Sequence, residues 1–244
     1  MSQLLLLSAL VSINSSAMAD DAATLLADMA KKIASTNTFS VTLLIRYDAL
    51  QASGQFIEFS ERREMILRRP QELRMDVRQS DGDEGGLVIN SNTITQFNLG
   101  EAVYSELDRD GDVDGSIRYA VAKLGIRFPL ARLLVANLPE EIAKKVTRVD
   151  FVESARLGDV PLEHIAAVGT EVDSQFWIRE DKLPARIVLT YKNAPGQPRF
   201  SADFIDWNLS PELGPETFQY VAPSGAERIP VLIRNTPSDR GIAQ

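Results

Sequence analysis

The chain has 244 residues, 44% of them hydrophobic, which suffices for one large domain or two small ones and excludes wholesale disorder. It has no cysteine and a single histidine, so thiolate chemistry, iron–sulfur ligation, disulfides and a lipid-accepting cysteine are excluded. A formal net charge of -8 repels phosphate backbones and anionic lipid surfaces, so neither nucleic acid nor a polybasic membrane dock is expected, while an apolar ligand is not excluded.

The apolar run Leu4–Ile13 is followed by Asn14, Ser15 and Ser16, then by Ala17-Met18-Ala19. Small residues at 17 and 19 match the cleavage pattern of a secretory signal, although Met1-Ser2-Gln3 carries no Lys or Arg. The run is shorter than the about 20 residues a membrane span needs. The expectation is a signal peptide over residues 1–19 and export to a bacterial periplasm; the alternative is a buried amino-terminal helix. Asp20–Ser35 then reads as a helix capped by Asp20 or Asp21, with Leu25, Leu26, Met29 and Ile33 at helical spacing.

Phe39–Leu50, Gly54–Arg69 and Glu72–Val77 read as three antiparallel strands. In the first, Phe39, Val41, Leu43, Ile45 and Tyr47 share one face. In the second, Ile57, Phe59, Met65 and Leu67 share a parity that Glu61 and Arg63 interrupt, which suggests an exposed stretch or a bulge. Shorter strands at Leu87–Asn90, Thr93–Asn98 and Ala102–Leu107 extend a meander. Helices are expected at Asp114–Leu124, Leu130–Asn137 behind Pro129, and Pro139–Lys145. Strands resume at Thr147–Leu157, Val160–Val168, Ser174–Arg179, Ala185–Lys192 and Arg199–Leu209, with a last one over Thr217–Val221. The domain is expected to cover residues 20–222, with a loosely ordered tail over 223–244.

Few residues suggest chemistry. Asp110, Asp112 and Asp114, followed by Gly115, match the first half of an EF-hand loop, a weak calcium candidate. The twelfth loop position is Val121 where a bidentate Glu is needed; the alternative is an acidic loop whose Asp114 caps the next helix. His164 sits in a strand with no local motif supplying a nucleophile or an acid, so it reads as structural. Glu58, Glu61 and Glu64 resemble paired carboxylates, but their arginine neighbours point to a salt-bridged outer face. No phosphate-cradling glycine loop or nucleophile elbow occurs, and no catalytic residue or cofactor is expected.

Several segments together carry a resemblance. They are Ser53-Gly54-Gln55-Phe56-Ile57-Glu58-Phe59, Leu67-Arg68-Arg69-Pro70-Gln71-Glu72-Leu73-Arg74 and Phe128-Pro129-Leu130-Ala131-Arg132-Leu133-Leu134. Phe176-Trp177-Ile178, Leu183-Pro184-Ala185-Arg186 and Asp206-Trp207-Asn208-Leu209 complete the series in order. The chain resembles a family of predicted periplasmic proteins of unknown function in the LolA/LolB-like lipoprotein-carrier superfamily, which includes the sigma-factor regulator RseB. The resemblance implies an α+β fold: one highly curved antiparallel sheet of about eleven strands, an unclosed half-barrel with helices over its concave face.

It also implies a periplasmic, non-catalytic carrier for a lipid, an acylated protein or another apolar ligand held between sheet and lid. The alternative is a protein-binding envelope sensor or assembly factor without a stored ligand. The strand patterns nominate Leu43, Ile45, Phe56, Phe59, Leu67, Met75, Phe97, Leu133 and Phe176 as cavity lining.

Overall fold

The computed structural model describes residues 8–233, with side chains from residue 21. Helix α1 (Ser8–Ser35) is followed by β1 (Thr38–Leu50), β2 (Phe56–Arg68), β3 (Glu72–Gln79), β4 (Glu84–Ile89), β5 (Thr93–Asn98) and β6 (Val103–Asp108). A helical stretch of α2 (Val113–Tyr119), a π-helical turn (Ala120–Leu124), a 3-10 turn (Ala131–Leu134) and α3 (Leu138–Lys145) comes next. The chain then forms β7 (Val146–Leu157), β8 (Val160–Gly169), β9 (Val172–Ile178), β10 (Pro184–Tyr191), β11 (Arg199–Asn208) and the two-residue β12 (Glu227–Arg228). The expected leader falls largely outside the described residues, apart from its backbone from Ser8 onward. The helix already runs from Ser8, so along the described backbone residues 20 and 21 are interior positions of α1.

All strands join one 12-stranded sheet in the order β12-β6-β5-β4-β3-β2-β1-β11-β10-β9-β8-β7. Every pairing is antiparallel except that of β12 with β6. The half-barrel implied by the resemblance is therefore present, and pairing of β1 with β11 welds its two meanders together. Strand β6 is inside one edge and β7 forms the other, so the connection over residues 109–145 must cross the whole concave face. It cannot run elsewhere without leaving that apolar face wet.

Alternation places Phe39, Val41, Leu43 and Ile45 of β1 on the concave side, beside Met65 and Leu67 of β2. Leu26, Met29 and Ile33 of α1 close over them. At about 1.5–3 kcal/mol for each fully buried large apolar side chain, this layer dominates the stability of the fold. Between α1 and the sheet the interior is packed.

The pairing of β1 with β2 runs without a register break from Thr38–Arg68 to Leu50–Phe56. The expected interruption at Glu61–Glu64 is neither a bulge nor an exposed stretch on both faces. Glu61 and Arg63 keep the parity of Met65 and point to the concave side, where each neutralises the other.

The convex side holds a second, smaller apolar layer. Register pairs Phe97 with Gly86 and Tyr104, and Tyr220 stacks on Phe97 at 4.7 Å. A Cβ on Gly86 would come within 2.6 Å of the Phe97 ring, so a side chain at 86 would displace that ring. Thr217–Val221, expected as a strand, does not form one. Instead Phe218 and Tyr220 lie across the outer face, with the Arg68 guanidinium 4.9 Å from the centre of the Phe218 ring. Beyond Pro223, expected as the start of a loose tail, Glu227 and Arg228 pair with Val103 and Tyr104.

Candidate functional site

The residues suggested as chemical are structural in this fold. The Asp112 carboxylate accepts the Gly115 amide at 2.7 Å and caps α2, the role the sequence assigned to Asp114. Asp114 instead pairs with Arg69 at 3.0 Å and accepts the Ala136 amide at 2.7 Å. Asp110 is exposed, so the three carboxylates do not converge. Among the described residues no group of three or more His, Cys, Asp or Glu side chains is placed to share a metal.

His164 stacks on Trp177 at 3.9 Å and its Nε2 meets the Gln175 side-chain oxygen at 3.1 Å. Arg186 lies over the same indole and pairs with Asp203, which also pairs with Arg46. This is a cross-strand ladder on the convex face, and it stiffens the sheet.

The hollow lies at one end of the half-barrel. A cleft of about 390 Å³ opens where the β1–β2 hairpin, the lid loop and the β10–β11 connection meet. That volume is within the range of small-molecule sites. Tyr47, Ala49 and Leu50 line it from β1. Pro129 lines it from the lid, and Tyr191, Pro198 and Phe200 from the opposite wall. The surrounding rim is also greasy: Leu50, Phe56 and Phe59 are 39–44% exposed. The Phe59 ring stacks on Tyr47 at 5.9 Å. Phe56 lies over Gly196, whose φ of +72° forms the β10–β11 turn and where a Cβ would come within 2.5 Å of the ring. Exposed aromatic and aliphatic groups gathered at one mouth mark a binding place more often than scattered ones do.

None of the nine residues expected to line a cavity lines this cleft. Leu43, Ile45, Leu67, Met75 and Phe176 are buried in the packed core, and Leu133 rests half-buried against it. Phe56 and Phe59 are at the rim. Phe97 belongs to the convex face. The parity of β1 is as expected, but residues in the middle of a strand lie beneath the helices, and only the strand ends reach past the lid.

The floor of the cleft is an ion pair. Arg63 and Glu61 approach to 2.6 Å with side chains 6% and 10% exposed. Arg63 also donates to the Arg127 carbonyl at 3.1 Å and lies 5.5 Å from the centre of the Phe128 ring. Arg63 thus ties the lid loop to the sheet. Tyr47 has its hydroxyl pKa raised by burial and then by the Glu61 charge, with Arg127 and Arg63 opposing.

Tyr191 is the unsatisfied group: its hydroxyl is buried without a hydrogen-bond partner among the described residues. Burial pushes its pKa up to about 12, against a small opposing influence of Arg132. A phenol pKa raised above its unfolded value favours the folded state fully below about pH 10 and loses that contribution as pH climbs toward 12. In an absorbance titration Tyr191 is expected to ionise last among the tyrosines. Tyr191→Phe is expected to remove this last step and to flatten the fall in stability between about pH 10 and 12. Loss of the step at about pH 10 instead would place the hydroxyl in water.

A family model described as a predicted periplasmic protein (DUF2092) matches residues 22–232. No curated protein matches the chain. Solved structures with a similar fold include an uncharacterized conserved protein from Thermus thermophilus. It shares 8% identity over 85% of this chain and 98% of that one, with a TM-score of 0.49. LprF from Mycobacterium bovis shares 12% identity over 82% and 98% of the two chains, with a TM-score of 0.48. The Pseudomonas aeruginosa MucA/MucB complex aligns at 16% identity over 83% and 62%, with a TM-score of 0.43. The chain spans 64% of the length of the MucB structure that it matches.

Proposed function

Because the chain belongs to the DUF2092 family of predicted periplasmic proteins, we propose that it is an exported, non-catalytic binding protein for an apolar ligand. The leader over residues 1–19 is part of this reading. The observation that carries it is the cleft at the open end, walled by Tyr47, Leu50, Pro198 and Phe200 and bordered by exposed Phe56 and Phe59. Each methylene moved there from water contributes about 0.8 kcal/mol, so a short alkyl chain binds without any reactive group. Arg63, which joins lid loop to sheet, is the contact that has to yield if the mouth widens.

Organic extraction and mass spectrometry of protein purified without detergent tests this reading. A co-purifying lipid or acyl compound, reduced in amount by Leu50→Glu and Phe200→Ser, is the expected result. A protein that repeatedly carries nothing and binds no added alkyl compound would sink it.

A second reading, a protein-binding envelope sensor, is favoured by the packed interior under α1 and by the exposed apolar residues Val152, Leu157 and Val160 on the β7–β8 hairpin. Crosslinking in the periplasm separates the two, since this reading requires a protein partner and no stored ligand.

A further inference from the structure

The charges around the cleft are unevenly matched. Its two carboxylates are already engaged. Glu61 pairs with Arg63, and Asp48 accepts the Arg199 backbone amide at 2.9 Å. The Arg127 and Arg199 side chains, by contrast, line the cleft and have no carboxylate partner among the described residues. Arg132 is also unpaired among them and is near enough to act on the Tyr191 hydroxyl. The cleft is lined by Arg63, Arg127 and Arg199 against Asp48 and Glu61, with Arg132 near by, so in a chain of net charge -8 this mouth carries a local excess of guanidinium. The volume sets the other limit. A cleft of about 390 Å³ is at the small end of small-molecule sites, a size that suits one alkyl chain.

Building on the apolar-ligand reading above, we infer that the cleft takes a single-chain amphiphile with an anionic head. The chain lies against Tyr47, Leu50 and Phe200, and the head meets Arg127 and Arg199 at the mouth. A guanidinium fork suits carboxylate and phosphate alike, so the shared chemistry is an oxyanion on one alkyl chain.

Calorimetric titration of the intact protein with laurate, dodecyl phosphate, dodecanol, dodecyltrimethylammonium and dilauroyl phosphatidylglycerol vesicles tests this. Laurate or dodecyl phosphate is expected to bind at least about tenfold tighter than dodecanol, with the advantage shrinking in high salt. Whichever of the two binds tighter identifies the head group. Arg127 and Arg199 are exposed, so the double variant Arg127→Gln/Arg199→Gln leaves the core intact. In it the advantage is expected to fall below about threefold. Equal binding of laurate and dodecanol by the unaltered protein overturns the anionic head while leaving the apolar-ligand reading in place. A preference that survives the double substitution overturns the assigned arginines. Vesicle lipid binding as tightly as laurate overturns the single chain. If no probe binds, the apolar-ligand reading falls and this inference with it.

Discussion

Replacing Arg63 with alanine is expected to destabilise the protein by about 3–5 kcal/mol, because the partner left behind is a nearly buried carboxylate at the floor of the cleft. The Glu61 side chain is 10% exposed and loses its only ion-pair partner among the described residues. The variant also forfeits the bond to the Arg127 carbonyl and the contact with the Phe128 ring. For a domain of this size the midpoint of thermal unfolding should fall by on the order of 10 °C. Hydrogen exchange should accelerate in residues 126–135 before it does in the sheet.

The double variant Arg63→Met/Glu61→Leu separates charge from shape. Apolar groups of similar volume are expected to recover most of the loss, since removing both charges also removes their desolvation cost. If Arg63→Ala alone changes neither the midpoint nor the exchange, the pair is solvated and the lid is held by other contacts.

Arg69→Ala is the second large expected effect, at the other end of the lid. Arg69 reaches three segments at once. It pairs with Asp114, donates to the Leu134 carbonyl at 2.6 Å, and donates to the Thr36 carbonyl at 3.3 Å. Burial pulls its pKa below the ordinary arginine value, and the charge and hydrogen bond of Asp114 pull the other way.

Alanine at 69 leaves Asp114 in a site 13% exposed with only the Ala136 amide, so a loss of about 3–5 kcal/mol is expected in chemical denaturation. Alanine at 114 strands the guanidinium and is expected to cost a similar amount. The double variant should cost less than the sum of the two by about 1–3 kcal/mol. Strictly additive losses would show that the two side chains do not act as a unit.

These two arginines show what a one-dimensional reading misses. Charged residues inside a strand pattern read as an outer face, because an unpaired charge is costly to bury. Glu61 and Arg63 escape that cost by standing two positions apart on the same face, in ion-pairing reach of each other. Their matching parity with Met65 and Leu67 is visible in the sequence, and it is a better guide than their polarity. Arg69 and Asp114 pair across 45 positions, a separation with no local signature. The half EF-hand pattern misleads for the same reason: Asp112 answers to the α2 amides and Asp114 to a distant cation.

The aromatic residues divide similarly. Phe39 and Phe176 are on the concave side, as their alternation suggests. Phe97 has an equally apolar setting in its short strand, yet register with Gly86 turns it to the convex face. Phe218 and Tyr220 have the two-residue spacing of a strand, but they use it to lie on the sheet without joining it.

The amino-acid order alone was enough for β1–β11, for the one-sided alternation of β1 and β3, and for helical segments between two strand runs, since each depends on neighbours a few residues apart. It misplaced the last strand and drew a helix over residues 130–137 where a 3-10 turn forms. Tertiary structure decided the rest: the union of β1 with β11, the passage of the lid from one edge to the other, and the cleft where hairpin and lid fail to meet. Those features arise from which surfaces become adjacent after the chain has closed loops of more than a hundred residues, and adjacency of that kind leaves no period in the sequence.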